Sequence, residues 1–226
     1  IKDREIAGLI ASLLAYGRVS QILKSVSIVL NIIKEPFKYL NSSSEKDIRS
    51  DFKYFKHRFT DEDDISSLLL ASKEIINEYG SLNNCFYSCM NENDDSILPA
   101  LRKYIKKLGG KINNNFNSLI SMPDGSSAFK RFNLYLRWMI RKDNVDPGGW
   151  ENIPASKLIV PLDTHMYKIC LGLKFTDRKQ ADIKSALNIT NRFKAYAPLD
   201  PVKFDFALTR LGMNKDKDLN NLLKNI

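Results

Sequence analysis

Apolar residues recur along this chain at helical spacing. Val19, Ile22, Leu23, Val26, Val29, Leu30 and Ile33 follow the i, i+3, i+4, i+7 pattern, which predicts an amphipathic helix stopped by Pro36. The same period covers about 3–15, 46–57, 63–79, 97–108, 126–141, 164–172, 178–195, 201–211 and 217–225. No alternating apolar–polar run is long enough to require a strand, and no internal repeat is present, so the chain is expected to be all-α.

Polar and turn-forming clusters punctuate the helices at KEP (34–36), NSSSEK (41–46), TDEDD (60–64), NENDD (91–95) and LGGKINNN (108–115), each too short for a domain linker. The stretch KDNVDPGGWENIPASKLIVP (142–161) differs. Three prolines, a Gly-Gly pair and a tryptophan fall within it, and it separates two helical patterns. It reads as a crossover between a first helical lobe over 1–141 and a second over 162–226, with a cleft between the lobes.

A chain of 226 residues, 43% of them hydrophobic, can build one large domain or two small ones. No apolar run approaches the roughly 20 residues that cross a bilayer. The N-terminal IKDREIAGLI carries acids and shows no signal-peptide cleavage pattern. A cytoplasmic monomer without a membrane partner is expected. The chain opens directly into a helical pattern, which leaves room for a preceding segment. Cys85, Cys89 and Cys170 are too few for a disulfide framework or a four-thiolate metal site. They read as reduced thiols, and neither a metal nor a cofactor is expected.

Charge changes the picture. The net charge is +9, and between Ser96 and Lys142 ten basic residues (Arg102, Lys103, Lys106, Lys107, Lys111, Lys130, Arg131, Arg137, Arg141 and Lys142) stand against Asp124 alone. That window is +9, so the rest of the chain sums to zero. A basic segment inside a folded domain is the footprint of a polyanion, because neutralising phosphates releases condensed counterions. Solvated lysines on helix surfaces are the plainer reading.

Inside the window, MPDGSSAFKRFNLYLRWMIRK (122–142) reads as a tight turn followed by a helix. Pro123, Asp124 and Gly125 supply the turn and Ser126 or Ser127 the cap, while Phe129, Phe132, Leu136, Met139 and Ile140 form the apolar stripe. Lys130, Arg137 and Arg141 fall on another face, so the helix offers free N–H groups at its start and a basic strip along its side. Downstream, VPLDTHMYKI (160–169) sets Asp163 at a helix start, where it reads as an N-cap accepting from His165 or Met166 N–H.

A turn before a Lys-bearing helix, then a crossover and a Pro-Xaa-Asp-Xaa-His-Met helix start, resembles the helix-hairpin-helix DNA glycosylase superfamily, which includes endonuclease III and the 8-oxoguanine glycosylases. LLAYGRVSQI, SSAFKRFNLYLRWMIRKD, IVPLDTHMYK and DPVKFDFALTRLGM also resemble an uncharacterised bacterial family of hypothetical proteins associated with that superfamily. The pattern departs from the superfamily in three ways. The turn is Met-Pro-Asp-Gly in place of Leu-Pro-Gly-Val-Gly, Lys130 follows Gly125 by five residues, and no four-Cys C-terminal motif is present to hold an iron–sulfur cluster. The spacing of 33 residues from Lys130 to Asp163 is similar to that of the archaeal 8-oxoguanine glycosylase branch.

The resemblance implies a two-lobed helix-hairpin-helix fold and a DNA-repair glycosylase with abasic lyase activity, acting on damaged duplex DNA and excising a damaged base such as an oxidised purine. Lys130 would be the nucleophile and Asp163 its assisting carboxylate. Gly125, Ser126, Ser127, Arg131, Arg137 and Arg141 would grip the backbone, and His165 would contact a phosphate. Tyr16 or Arg18, at a helix end in LLAYGRV, would enter the DNA stack, although Gly17 there also reads as an ordinary helix stop. Trp150, in the crossover, would line the base pocket, whereas Trp138 reads as core and His57 as structural. Two other readings remain: a non-catalytic DNA- or RNA-binding module in which Lys130 holds a phosphate, and a structural protein whose basic face meets an acidic partner.

Overall fold

The computed structural model describes residues 1–111 and 119–213. Among these residues the chain is helical, with eleven α-helices, a short 3-10 turn at Ala155–Lys157 and no strand. The helix expected over 217–225 lies outside the described residues. No helix among them is long and apolar enough to cross a membrane.

The chain divides into two compact units, one formed by residues 1–94 and 98–125 and the other by residues 95–97 and 126–226. The first holds α1 (Lys2–Leu13), α2 (Val19–Ile33), α3 (Pro36–Ser42), α4 (Glu45–Asp51), α5 (Glu62–Tyr79), α6 (Leu82–Tyr87) and α7 (Leu98–Gly110). At its centre is α5, which packs on α3, α4, α6 and α7. The buried residues Ile65, Leu68, Leu69, Ser72, Ile75 and Ile76 run down one side of α5, and Leu101, Tyr104, Ile105 and Leu108 do the same on α7. These are the stripes that the helical period requires.

Local chemistry sets the helix ends. Ser44 and Asp47 form a reciprocal capping box at the start of α4, and Asp61 and Asp64 form another at α5. Each box satisfies two otherwise unpaired backbone donors. Gly80 ends α5 in the left-handed conformation. Pro36 does stop α2, and it also occupies the first turn of a new helix, α3, where its missing N–H does no harm. Both α3 and α6 are too short to show a period. The buried carboxylate of Glu5 steadies α6 by accepting from Leu82 N and Asn83 N, each at 3.0 Å.

The second unit holds α8 (Lys130–Ile140), α9 (Thr164–Gly172), α10 (Ile183–Lys194) and α11 (Asp205–Met213). The division between units falls after Gly125, earlier than the expected boundary at 141, so the Lys130 helix belongs with the C-terminal elements. The cause is the segment 142–161, which folds back on its own helix. Gly148 N donates to Trp138 O at 2.9 Å and Trp150 N to Met139 O at 2.8 Å. Trp150 packs edge-on against Tyr135, with ring centroids 5.3 Å apart.

Candidate active site

The expected pair comes together in the second unit. Lys130, Leu134, Arg137 and Trp138 of α8, Val145, Pro161, Asp163, and Asp205, Phe206 and Thr209 of α11 line one cavity of about 270 Å³. Asp163 is the N-cap of α9, its Oδ1 accepting from Met166 N at 2.8 Å. The cap fixes one carboxylate oxygen against the helix and with it the orientation of the other. Since α9 packs on α11, the cap also sets Asp163 beside Asp205, whose carboxyl is raised chiefly by burial and in smaller part by repulsion from Asp163.

Lys130 is the first residue of α8, following Phe129 in the left-handed region at φ 49°. That conformation is uncommon for a bulky residue and stores strain of about 1 kcal/mol or more. It is held in place because Asn133 N donates to Phe129 O at 2.8 Å and Asn133 Nδ2 to Ala128 O at 2.9 Å. The helix therefore begins at Lys130, four residues later than expected, and has no side-chain cap. Lys130 is half-buried, and its ammonium makes no ion pair among the described residues.

The basic strip takes a different form from the one expected. Arg137 is 3% exposed and Arg141 7%. Arg137 binds Asp146 at 3.0 Å and also Asp205, while Arg141 binds Asp143 at 2.7 Å, Asp200 at 3.0 Å and also Asp146. Two guanidinium groups are thus held by four aspartates. They have no face to offer a phosphate, and their expected role in gripping the backbone is corrected to an internal one. Backbone N–H groups of Asp146 and Val145 hold the Asp143 carboxyl below its ordinary range. Burial works against the Arg141 charge, but Asp200, Asp146 and Asp143 outweigh it and raise the guanidinium above its usual value.

Asp205 is the residue that the sequence did not single out. Burial pushes its carboxyl up to about 6 even though Arg137 pulls it down. Its Oδ1 is buried without a hydrogen-bond partner, as is Oδ1 of Asp146. The sequence signal for it was its place inside DPVKFDFALTRLGM, within the helical pattern expected over 201–211.

The two tryptophans exchange roles. Trp150 is 0% exposed and belongs to the core, so it is not a pocket wall, whereas half-buried Trp138 lines the cavity, with Phe206 also on its wall. His165, Ser126 and Ser127 are exposed, and Gly125 and Arg131 are half-exposed. Gly125 N closes a turn onto Met122 O at 3.3 Å. The backbone of Ser126 is occupied by Ile183, whose N donates to Ser126 O at 3.1 Å.

In the first unit Arg18 is exposed. Tyr16 is not free to leave as a wedge, since its hydroxyl donates to His57 O at 2.9 Å and lies 2.6 Å from Thr60 Oγ1, with Arg58 over its ring. The basic window is largely committed as well: Lys111 pairs with Glu78 at 2.9 Å, Lys107 donates to Tyr79 Oη at 2.7 Å, and Lys106 lies 3.7 Å from Asp124. Cys85, Cys89 and Cys170 are buried free thiols, and burial pushes Cys85 and Cys170 up to about 12. Among the described residues no three His, Cys, Asp or Glu side chains group to hold a metal ion.

No curated protein and no solved structure matches this chain. A family model described as "Protein of unknown function (DUF2400)" matches residues 1–214, and the chain belongs to that family.

Proposed function

We propose that this protein is a DNA glycosylase with associated abasic lyase activity, acting on a damaged base through Lys130 and Asp163. The observation that carries the reading is that these two residues, 33 apart in sequence, line one cavity. They share it with two aromatic side chains and a buried carboxyl, and the amine has no competing ion pair among the described residues. An extruded base can lie against Trp138 or Phe206, as base-processing enzymes require of a flipped nucleotide.

In this reading the unprotonated Lys130 Nζ attacks C1′ of the damaged nucleotide. The C1′–N bond breaks, and its electron pair leaves with the base, which takes up a proton. Asp163 stabilises the positive charge that develops on the sugar, its position fixed in advance by the cap. The base takes its proton from solvent, since Asp205 is held as the carboxylate partner of Arg137. A proton passes from the attached nitrogen to O4′ as the C1′–O4′ bond breaks and the sugar opens to a protonated C1′ imine on Lys130, and loss of a C2′ proton expels the 3′ phosphate by β-elimination.

Borohydride trapping on duplexes carrying 8-oxoguanine, uracil, hypoxanthine or an abasic site tests the proposal. A covalent protein–DNA adduct is expected on at least one of them, abolished by Lys130→Gln. Asp163→Asn keeps a capping oxygen, so it should cost no more than about 1 kcal/mol of stability, yet lower activity by orders of magnitude. An Asn variant as active as the parent reduces Asp163 to a cap. Absence of an adduct on every substrate transfers the proposal to the non-catalytic nucleic-acid-binding reading.

A further inference from the structure

The first unit carries a second surface that the Lys130 chemistry does not use. Between α4 and α5 the chain reverses through Phe52–Thr60, closed by His57 N donating to Thr60 O at 2.8 Å and Thr60 N to His57 O at 2.9 Å. The reversal is clamped from inside. Buried His57 places Nδ1 2.9 Å from Ser25 Oγ and Nε2 3.1 Å from Tyr16 O. Because a carbonyl only accepts, Nε2 carries the proton, and in the neutral ring Nδ1 accepts from Ser25.

The outer side of this reversal is unlike an ordinary surface turn. Tyr54 and Phe59 are 81% and 68% exposed, and each has a cation over its ring: Lys53 Nζ at 5.0 Å from Tyr54 and Arg58 Cζ at 5.4 Å from Phe59. Tyr54 at φ 74° and Arg58 at φ 54° are both left-handed, a strained conformation for side chains of this size that persists only where the surroundings enforce it. Beside the turn, against α2, lies a groove of about 560 Å³ whose charged lining is Lys24, Lys53, Lys56 and Arg58 against a single acid, Asp51. None of these four cations makes an ion pair among the described residues.

Unpaired cations call for an anion, and solvent-facing rings with adjacent charge call for a flat apolar partner. An acidic peptide would satisfy the first and leave the rings idle. A duplex hides the faces of its bases. A single strand offers both chemistries at the repeat of one phosphate per base, and it is bound by cationic grooves with aromatic platforms. We infer that the α2 groove and the Phe52–Thr60 turn bind single-stranded polynucleotide, its bases stacking on Tyr54 and Phe59 and its phosphates meeting Lys53, Lys56 and Arg58.

The test is fluorescence anisotropy of the full chain with labelled dT12, rU12 and a 12-base-pair duplex over a salt series, with a poly-glutamate peptide as competitor. Binding to dT12 or rU12 above duplex is expected, and the comparison of the two strands tells DNA from RNA. Phe59→Ala and Tyr54→Gly should each weaken it about fivefold or more, the low end of one base–aromatic stack. Glycine suits the left-handed position, so the Tyr54 variant keeps the fold, and unchanged melting temperatures confirm that both losses are of contact. Lys53→Gln with Lys56→Gln should flatten the log–log salt slope by about 1.4, at about 0.7 for each single-strand phosphate lost.

Lys130→Gln should bind dT12 as the parent does, which separates this site from the glycosylase reading. Failure to bind either strand, preference for duplex, displacement by poly-glutamate at equal charge, or aromatic variants that bind like the parent would each overturn the inference.

Discussion

Replacing Arg137 by alanine separates two accounts of the α8 basic residues. If Arg137 gripped a phosphate, the substitution would leave stability nearly unchanged and reduce the salt slope of duplex binding by about 0.9. The structure sets the side chain at 3% exposure between Asp146 and Asp205. Asp146 keeps Arg141 as a partner, but Asp205 loses the one cation that pairs with it among the described residues. Breaking a buried pair from one side typically costs about 3–5 kcal/mol, and the loss should depend on pH. In the parent, the Asp205 carboxyl is raised from 3.8 to about 6, mainly by burial. The group therefore binds its proton more tightly folded than unfolded, a preference worth about 3 kcal/mol. This contribution to stability is fully present below pH 4 and is lost as pH rises through 6. Without Arg137, the interaction that holds the carboxyl down disappears, so the loss should extend to higher pH and the variant should recover stability when acidified from pH 8 to 5. Urea unfolding at pH 5, 6, 7 and 8, with Asp205→Asn as the pH-insensitive control at this position, reads both effects. A variant that loses under about 1 kcal/mol at every pH while flattening the salt slope refutes the buried network.

The remaining predictions concern packing. Trp150→Ala should cost about 3–5 kcal/mol in urea unfolding, as removal of a fully buried aromatic does, while Trp138→Ala should cost much less and instead impair excision; the reverse ranking would restore Trp150 to the pocket. Gly17→Ala sets a Cβ 2.8 Å from Arg58 Cδ at φ +98°, so it should destabilise by more than about 1 kcal/mol and free Arg58 from the Tyr16 and Phe59 rings. A stability equal to that of the parent would refute the strain expected of an L residue at φ +98°, which persists even if Arg58 moves aside.

Asp163 was legible because capping is local: the residue type, the proline before it and the apolar period after it fall within a few positions. The helix carrying Lys130 was legible for the same reason, although its first turn was not. Phe129 adopts a left-handed conformation that its residue type disfavours, and the later start goes with a local side-chain bond, Asn133 Nδ2 to Ala128 O, that residue preferences do not announce. Arg137 and Arg141 were misassigned because a helical wheel tells which residues share a face, not what faces them. Their partners, Asp146, Asp200 and Asp205, lie up to 68 residues away and bear no spacing relation to the arginines. Trp150 was misplaced because a Pro- and Gly-rich stretch looks solvent-facing until its backbone is seen to pair with the end of the preceding helix. Short helices such as α3 and α6 present no more than two turns, too few to establish a period.

Read as a run, residues 96–142 promised a positive surface; folded, the second unit surrounds Arg137 and Arg141 with four aspartates and adds Asp163 nearby. Lys130 shares its cavity with two carboxylates, Asp163 and Asp205, an arrangement suited to stabilising a cationic sugar or imine in the proposed reaction and unsuited to attracting a phosphate by field alone. The buried network has a positional use as well. Arg137 joins α8 to the first residue of α11, and α11 packs on α9, so the helix carrying Lys130 and the helix capped by Asp163 are tied through one guanidinium. Substitution of Arg137 is therefore expected to disturb the alignment of the amine with the carboxylate even at a pH where the protein remains folded. Trapping rates for Arg137→Ala at pH 5.5, taken per folded molecule from urea unfolding at the same pH and compared with those of the parent, would measure that alignment separately from stability, and a rate equal to the parent's would show that Arg137 does not align the pair.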